Sequence, residues 1–411
     1  MDDRLFSRAG LLGCMAAALG ILCVAASGAE PFFRARSVTA TYAGPGRDHP
    51  EPTGVTEVKI GWFGPGDPAD PVGGVLWSAA CLAVEEANAA GGYRGVPFRL
   101  VPRWSENPWG TGVSQLTHLV YQEKVWALLG SVDGNSTHLA EQVVAKARLA
   151  LVSPVSTDKT VNLANVPWIF SLAPGDHQHA PVLAEALLAA ARGRPFVVLS
   201  STGHDARMLT AELLLALRRR QATPALHLTF TPRIAGPASV ALQLQRTALA
   251  EPAVVVVIAG TSDSADVVRL LRAQGFKGPI FGSAAMGRAP FGQRAGTAAE
   301  GVIFPLLFHP EGTSRGRRFG EHFEGRYGQR PDYAAAHAYD ATCLLIAAIR
   351  KAGLNRARIR DALRGLSPYE GVTGTIRWDP TGQNDRPVAL GTFCEGQVVR
   401  YSKNVRLAFG E

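Results

Sequence analysis

Cysteine is scarce in this 411-residue chain: of five, Cys14 and Cys23 sit in an N-terminal apolar stretch, leaving only Cys81, Cys343 and Cys394. An odd number without any Cys-x-x-Cys pair excludes a disulfide-stapled scaffold and a cysteine zinc site. Cys81 and Cys343 fall in apolar helical patterns and read as buried free thiols, although an oxidising compartment would permit one disulfide. Charge is sparse as well, at 18% of residues, with 42 Lys+Arg against 34 Asp+Glu giving a formal +8. Its few arginine groupings, Arg218–Arg220 and the pair Arg317 and Arg318, lack interleaved aromatics, so no nucleic-acid partner is expected. No Gly-x-Ser-x-Gly elbow and no phosphate-loop lysine occur. Gly64-Pro65-Gly66-Asp67-Pro68-Ala69 matches a dinucleotide glycine pattern formally, but two prolines interrupt it and the next helix starts too late to receive a pyrophosphate. His177 and His179 lack a third ligand at regular spacing and read as the start of a helix capped by Asp176. His204 and Asp205 beside Ser200 and Ser201 read as a binding-loop pair or a cap, since nothing marks an activated serine. No catalytic residue, metal or cofactor is expected.

What the chain has is 46% hydrophobic residues, 44 Gly and 27 Pro, the composition of a folded, loop-rich protein. Arg4 and Arg8 precede an uncharged stretch over 9–29 that ends in small residues, which reads as a secretory signal peptide over 1–29, an uncleaved anchor being the other reading. Removing it takes two charges of each sign, so the mature chain stays basic. Residues 30–55, rich in Pro and Gly, read as a flexible lead-in.

From Val58 short apolar runs alternate with amphipathic segments. Strands are expected at 58–63, 98–101, 126–129, 150–152, 168–172, 196–200, 226–230, 253–259 and 279–282, with helices at 75–90, 114–122, 137–148, 180–191, 206–219, 239–249 and 265–274. This rhythm predicts α/β architecture: two doubly wound Rossmann-like lobes with parallel sheets and right-handed crossovers. The last hundred residues hold helices at 319–327, 333–352 and 357–366 and strands at 374–378, 388–393 and 398–401, too few strands for a third sheet. They are expected to complete the two lobes, residues 56–174 with 306–386 and residues 175–305 with 387–405, joined by several crossings.

Ligands of open parallel sheets bind outside the carboxyl ends of the strands. The loops there are 64–74, 104–112, 131–136 and 155–159 in the first lobe, and 201–205, 260–263 and 283–288 in the second. Ser131 to Thr137 and Ser153 to Thr157 are hydroxyl-rich turns able to hold an anion at a helix start. Plain N-capping by Ser136, Thr137 or Asp205 is the competing reading.

Three motifs, in order, span most of residues 57–382. The first runs from Lys59-Ile60-Gly61 into Asn88-Ala89-Ala90-Gly91-Gly92-Tyr93-Arg94-Gly95; the second pairs 130–137 with 153–157; the third joins Ala338-Tyr339-Asp340-Ala341 to Gly371, Gly374 and Trp378-Asp379. Through them the chain resembles the periplasmic solute-binding proteins of ABC transporters, of the branched-chain amino acid binding family. The resemblance implies a type I periplasmic-binding fold and a non-catalytic, monomeric, extracytoplasmic receptor that delivers a small-molecule ligand to a membrane permease; a sensing module coupled to a signalling partner is the alternative. It implies a ligand carboxylate held around Gly134, Asn135, Ser136, Val155, Ser156 and Thr157. Where the family places an acid for the ligand ammonium this chain has Ala284, so Asp133, Asp205 or Asp263 would supply the charge, or the ligand is a carboxylate or amide without one. Trp109, His204 and Thr261 complete the candidate ligand residues, on the loops that face the cleft.

Overall fold

The structure, a computed structural model, describes residues 42–163, 166–232 and 252–402. The expected signal peptide and the helix at 239–249 lie outside these residues. Strands β1 (Val58–Phe63), β2 (Phe98–Arg103), β3 (Ala127–Gly130), β4 (Leu151–Ser153) and β5 (Ile169–Ser171) form one parallel sheet in the order β2-β1-β3-β4-β5. The second sheet repeats that order with β6 (Phe196–Ser201), β7 (Leu226–Phe230), β8 (Val254–Ile258), β9 (Ile280–Gly282) and β10 (Ile303–Leu306). Its far edge adds antiparallel β13 (Ala389–Cys394) and β14 (Gln397–Arg400), while β11 (Tyr369–Gly371) and β12 (Gly374–Ile376) make a separate hairpin. Every residue of β8, Val-Val-Val-Val-Ile, is buried, as expected where helices cover both faces of a parallel sheet.

The helices are α1 (Gly74–Ala89), α2 (Val113–Thr117), α3 (Gly134–Ala147), α4 (Thr160–Leu163), α5 (Asp176–Ala191), α6 (His204–Arg218), α7 (Thr261–Ala273), α8 (Ala289–Ala295), α9 (Ser314–Tyr327), α10 (Tyr333–Ala352) and α11 (Arg356–Arg364). The helix expected at 114–122 is regular only over α2; Pro108–Gly112 and His118–Gln122 on either side are wound as wider π turns. Strand β10 and helix α8 go beyond the sequence expectation.

The core of the first lobe contains β1, α1 and, from much later in the chain, Phe319, Phe323 and Leu344 to Ile349. The second lobe buries Leu183, Val198, Leu213 and Val256 on one face of its sheet and Val257, Val268, Phe291 and Phe304 on the other. Chain crossings lie side by side between the lobes. Ser171 donates its backbone N–H to Gly382, Asn384 returns one to Ser171, and the Gln383 and Asn384 amides cap the carbonyls of Ala173 (2.7 Å) and Leu172 (2.8 Å). Arg386 bonds the carbonyls of Thr373 and Leu307 and so ties in another crossing.

The described part of the expected flexible lead-in is packed. Tyr42 is buried edge-on against Trp168 with its N–H on the Asp361 carboxylate (3.0 Å), and the Glu51 carboxylate accepts from Tyr93, Arg94 and the Leu354 N–H. Partly buried carboxylate acceptors fix this segment, a signal its Pro/Gly composition hides.

Asp340 explains the spacing of the third sequence motif. Its buried carboxylate accepts from Val372 N–H (2.8 Å), Thr373 N–H (2.8 Å) and the Thr373 hydroxyl (2.6 Å), and Gly371 must lack a Cβ because one would collide with that carboxylate. Asp340→Ala strands these buried donors and should lower unfolding stability by about 1–3 kcal/mol. Urea denaturation with an unchanged midpoint would refute this account of the motif.

Candidate functional site

The switch points of the two sheets lie beside β1 and β3 in one lobe and beside β6 and β8 in the other, and helices α3 and α6 start from the carboxyl ends of β3 and β6. The N-termini of α3 and α6 meet. Asp133 caps α3 by accepting from the Ser136 N–H (2.7 Å) and hydroxyl. Neither Ser136 nor Thr137 is the cap, because both are already inside the helix. Asp205 does not cap its own helix, whose N-cap is Gly203. Its carboxylate instead reaches the other lobe and accepts from the Gly134 N–H (3.1 and 3.3 Å to its two oxygens), one of the amides left free at the start of α3. Gly134 is required for that approach: a Cβ there would lie 2.5 Å from Asp205 Oδ1 and 3.1 Å from Asp158 Cβ.

A second bridge runs through Asp158. Its Oδ1 accepts from the N–H (2.8 Å) and hydroxyl (2.6 Å) of Thr160, while Oδ2 faces His138 Nε2 (3.0 Å) on α3 and His204 Nε2 (2.7 Å) on α6. Glu141 lies 3.0 Å from the other nitrogen of His138. The hydrogen bonds to Asp158 and Glu141 push the His138 imidazole up to about 9. Burial opposes the charge on Asp158, but bonds from His138, Thr160 and His204 prevail and hold the carboxyl well below its ordinary range. Asp205 is partly open to solvent, yet desolvation by the crowded seam and the charge of Asp133 raise its pKa against the pull of the Gly134 amide.

The floor behind these bridges is polar and unsatisfied. Ser156 Oγ and both ring nitrogens of His179 are buried without a hydrogen-bond partner, while Asp176 leans on Thr157 and His337 on the backbone of Pro154. They gather around the 154–157 loop: the Asp176 N–H bonds the Thr157 carbonyl (2.7 Å), His179 Nδ1 is 3.7 Å from Asp176, and His337 faces Pro154. Burial drives Asp176 well above the usual carboxylate range and His179 down to about 3. Such orphaned groups cost free energy unless something polar meets them. Asp176 is the first residue of α5 after the N-cap Gly175, so it is not the cap expected for His177 and His179.

The other expected site residues are dispersed around this seam. Trp109 is 52% exposed at the rim and donates its indole N–H to Asn135 (2.8 Å). Val155 turns its side chain into the first-lobe core, and Thr157 stays half-buried beside Asp176. Thr261 starts α7, and the charge of Asp263 acts on Arg294 of the same lobe. Ala284 is buried with Ala173 and Leu307, an apolar environment with no counter-charge of its own. Ser200 bonds His227 (2.8 Å) rather than His204, and Ser201 accepts from Gly203, so these serines form no catalytic set with His204. The sequence expectation missed Asp176, His179, His337 and Asp158 as seam groups; for the first three a polar residue at a buried helical position was the available signal, and Asp158 lies on the 155–159 loop already expected to face the cleft. Opposite the seam, Arg288 pairs with Asp332 (2.7 Å) and bonds the Val72 carbonyl, giving a further polar link between lobes.

A family model described as periplasmic binding protein matches residues 57–397. An amino acid binding protein of Pseudomonas aeruginosa is 24% identical over 333 residues, covering 80% of this chain and 87% of the relative. Among solved structures, the branched-chain amino acid transporter substrate binding protein LivJ of Streptococcus pneumoniae, in complex with isoleucine, superposes with a TM-score of 0.75 at 23% identity over 84% of this chain and 100% of that one. The leucine binding protein LivK of Thermotoga maritima gives 0.76 at 20% identity over 84% and 98%. A solute binding protein from R. palustris in complex with benzoate gives 0.73 at 16% identity over 84% and 95%. The two-lobed α/β fold with its matching sheets is thus the type I periplasmic-binding fold, and the chain belongs to the periplasmic binding protein family.

Proposed function

We propose that this protein is the extracytoplasmic solute-binding component of an ABC importer, acting without chemical turnover on a small polar solute held between its lobes, and that a signal peptide over 1–29 exports it. The observation that carries this reading is the set of orphaned polar groups at the seam of a family whose members bind solutes. Ser156 and His179 hold buried polar atoms without a partner, with Asp176 and His337 beside them, and the segments crossing at 171–173 and 382–384 supply the hinge about which the lobes would part and close.

The same groups bear on the solute's chemistry. The seam gathers the carboxylates of Asp133, Asp158 and Asp205, so a solute carrying only a carboxylate would meet repulsion. One that presents an ammonium or another donor-rich group would neutralise Asp205, serving the role that Ala284 cannot, while the protonated Asp176 offers a hydrogen bond. The reading is an amino acid or amide whose donor end points toward the second lobe.

Native mass spectrometry of protein purified from its own cells should show a retained small metabolite, and thermal-shift screening of amino acids, amides and carboxylates should find one that stabilises it by about 2.7 kcal/mol at a hundredfold excess over Kd. Stabilisation by a nucleic acid or a lipid alone would overturn the proposal. Once the solute is identified, Asp205→Asn should weaken it by roughly ten- to a hundredfold in calorimetry, the value of a charge-assisted hydrogen bond. Equal affinity in the variant would remove Asp205 from the site.

A further inference from the structure

The carboxylate of Asp158 lies where two imidazoles converge, and the rest of the arrangement has the form of a metal centre. One ring nitrogen each of His138 and His204 and an Asp158 carboxylate oxygen all lie within 4.8 Å of one another. We propose that His138, Asp158 and His204 bind one zinc-like divalent transition-metal ion that staples the two lobes together, leaving a fourth position open to water or solute.

The ligand atoms suit such an ion. Zinc takes imidazole nitrogen and carboxylate oxygen at about 2.0–2.2 Å, which separates neighbouring ligand atoms by about 3.3 Å in a tetrahedron. Asp158 Oδ2 stands 3.0 Å from His138 Nε2 and 2.7 Å from His204 Nε2, so sub-ångström rotations of the side chains admit the ion. Two imidazoles with one carboxylate select the zinc, nickel, cobalt and copper class over calcium or magnesium, which require cages built mainly of oxygen.

Support outside the ligands is in place as well. His138 Nδ1 faces Glu141 Oε2 at 3.0 Å, and Glu141 is buried; a carboxylate there accepts a hydrogen bond from Nδ1–H and so fixes the tautomer whose Nε2 lone pair is turned toward the site. Thr160 occupies Asp158 Oδ1 through two hydrogen bonds, which reserves Oδ2 for the ion. Asp158 itself is buried at 1%, whereas the His138 and His204 side chains are 22% and 25% exposed, so the ion has a way in. His138 and Asp158 come from the first lobe and His204 from the second, so coordination favours contact between the lobes over their separation. The site stands independently of the solute proposal, because it uses neither the orphaned groups nor Asp205.

The test uses the full chain purified without a histidine tag, stripped with a chelator and titrated with zinc alone, no solute being present. One zinc per chain should be retained after dialysis, with a rise in melting temperature, and cobalt in its place should give the visible absorption of a tetrahedral N/O site. His204→Ala, at a partly exposed helix start, should keep the native circular dichroism and lose the zinc-induced rise, and Glu141→Gln should weaken zinc by about tenfold. Substoichiometric zinc, or an equal rise in melting temperature in His204→Ala, would overturn the site and leave the two imidazoles as plain hydrogen-bond partners of Asp158.

Discussion

Helix α1 packs along α10, and the fold depends on that contact. The two helices are separated by most of the chain, yet Leu76, Ala80, Val84 and Ala87 share one apolar cluster with Ala338, Leu345 and Ile349. Burial of apolar surface at roughly 25 cal/mol per Å² makes this closure favourable and obliges the chain to leave the first lobe, build the second and come back. Adjacent crossings follow, held in register by the amides of Gln383 and Asn384 and by Arg386. A single linker would leave the lobes free to tumble. Side-by-side crossings restrict them to a hinge, and so the carboxyl ends of both sheets face one another.

Because those ends face one another, helix starts that would otherwise point to water become partners. Free amides at the N-terminus of α3 attract a carboxylate, and the nearest one is Asp205 from the other lobe. The resulting seam is acidic inside a protein whose formal net charge is +8. The overall surplus therefore says nothing of the field at the seam, which a few carboxylates and imidazoles set locally. Gly134 belongs to the same logic, since any side chain there has no room beside Asp205 and Asp158.

Much of the fold was legible in the chain because periodicity is local. β1 and α10 have the bounds expected of an apolar run and of a long helical stripe, to which the structure adds Asp332 as the cap. β10 was not legible: Pro305 lies inside it, and the strand touches β9 only at Ile303 while its fuller ladder is the antiparallel one with β13. The winding of 108–122 also escaped, since π turns have no periodic signature of their own. At the site, the hydroxyl-rich turns were found by their residues, but His179 and His337 each read as one more polar residue on a helix until their burial was seen.

The sequence alone determined the alternation of strand and helix, the repetition that makes two lobes, the strand-end loops and the motifs that mark the family. These are properties of neighbouring residues, so spacing and turn chemistry suffice to specify them. Tertiary structure decided which charges meet. Asp205 and Gly134 are 71 positions apart, and His204 and Asp158 are 46 apart; nothing in either neighbourhood names the other. Their pairing depends on the angle at which the lobes come together, and that angle is set by the crossings and by the apolar contact of α1 with a helix from the far end of the chain.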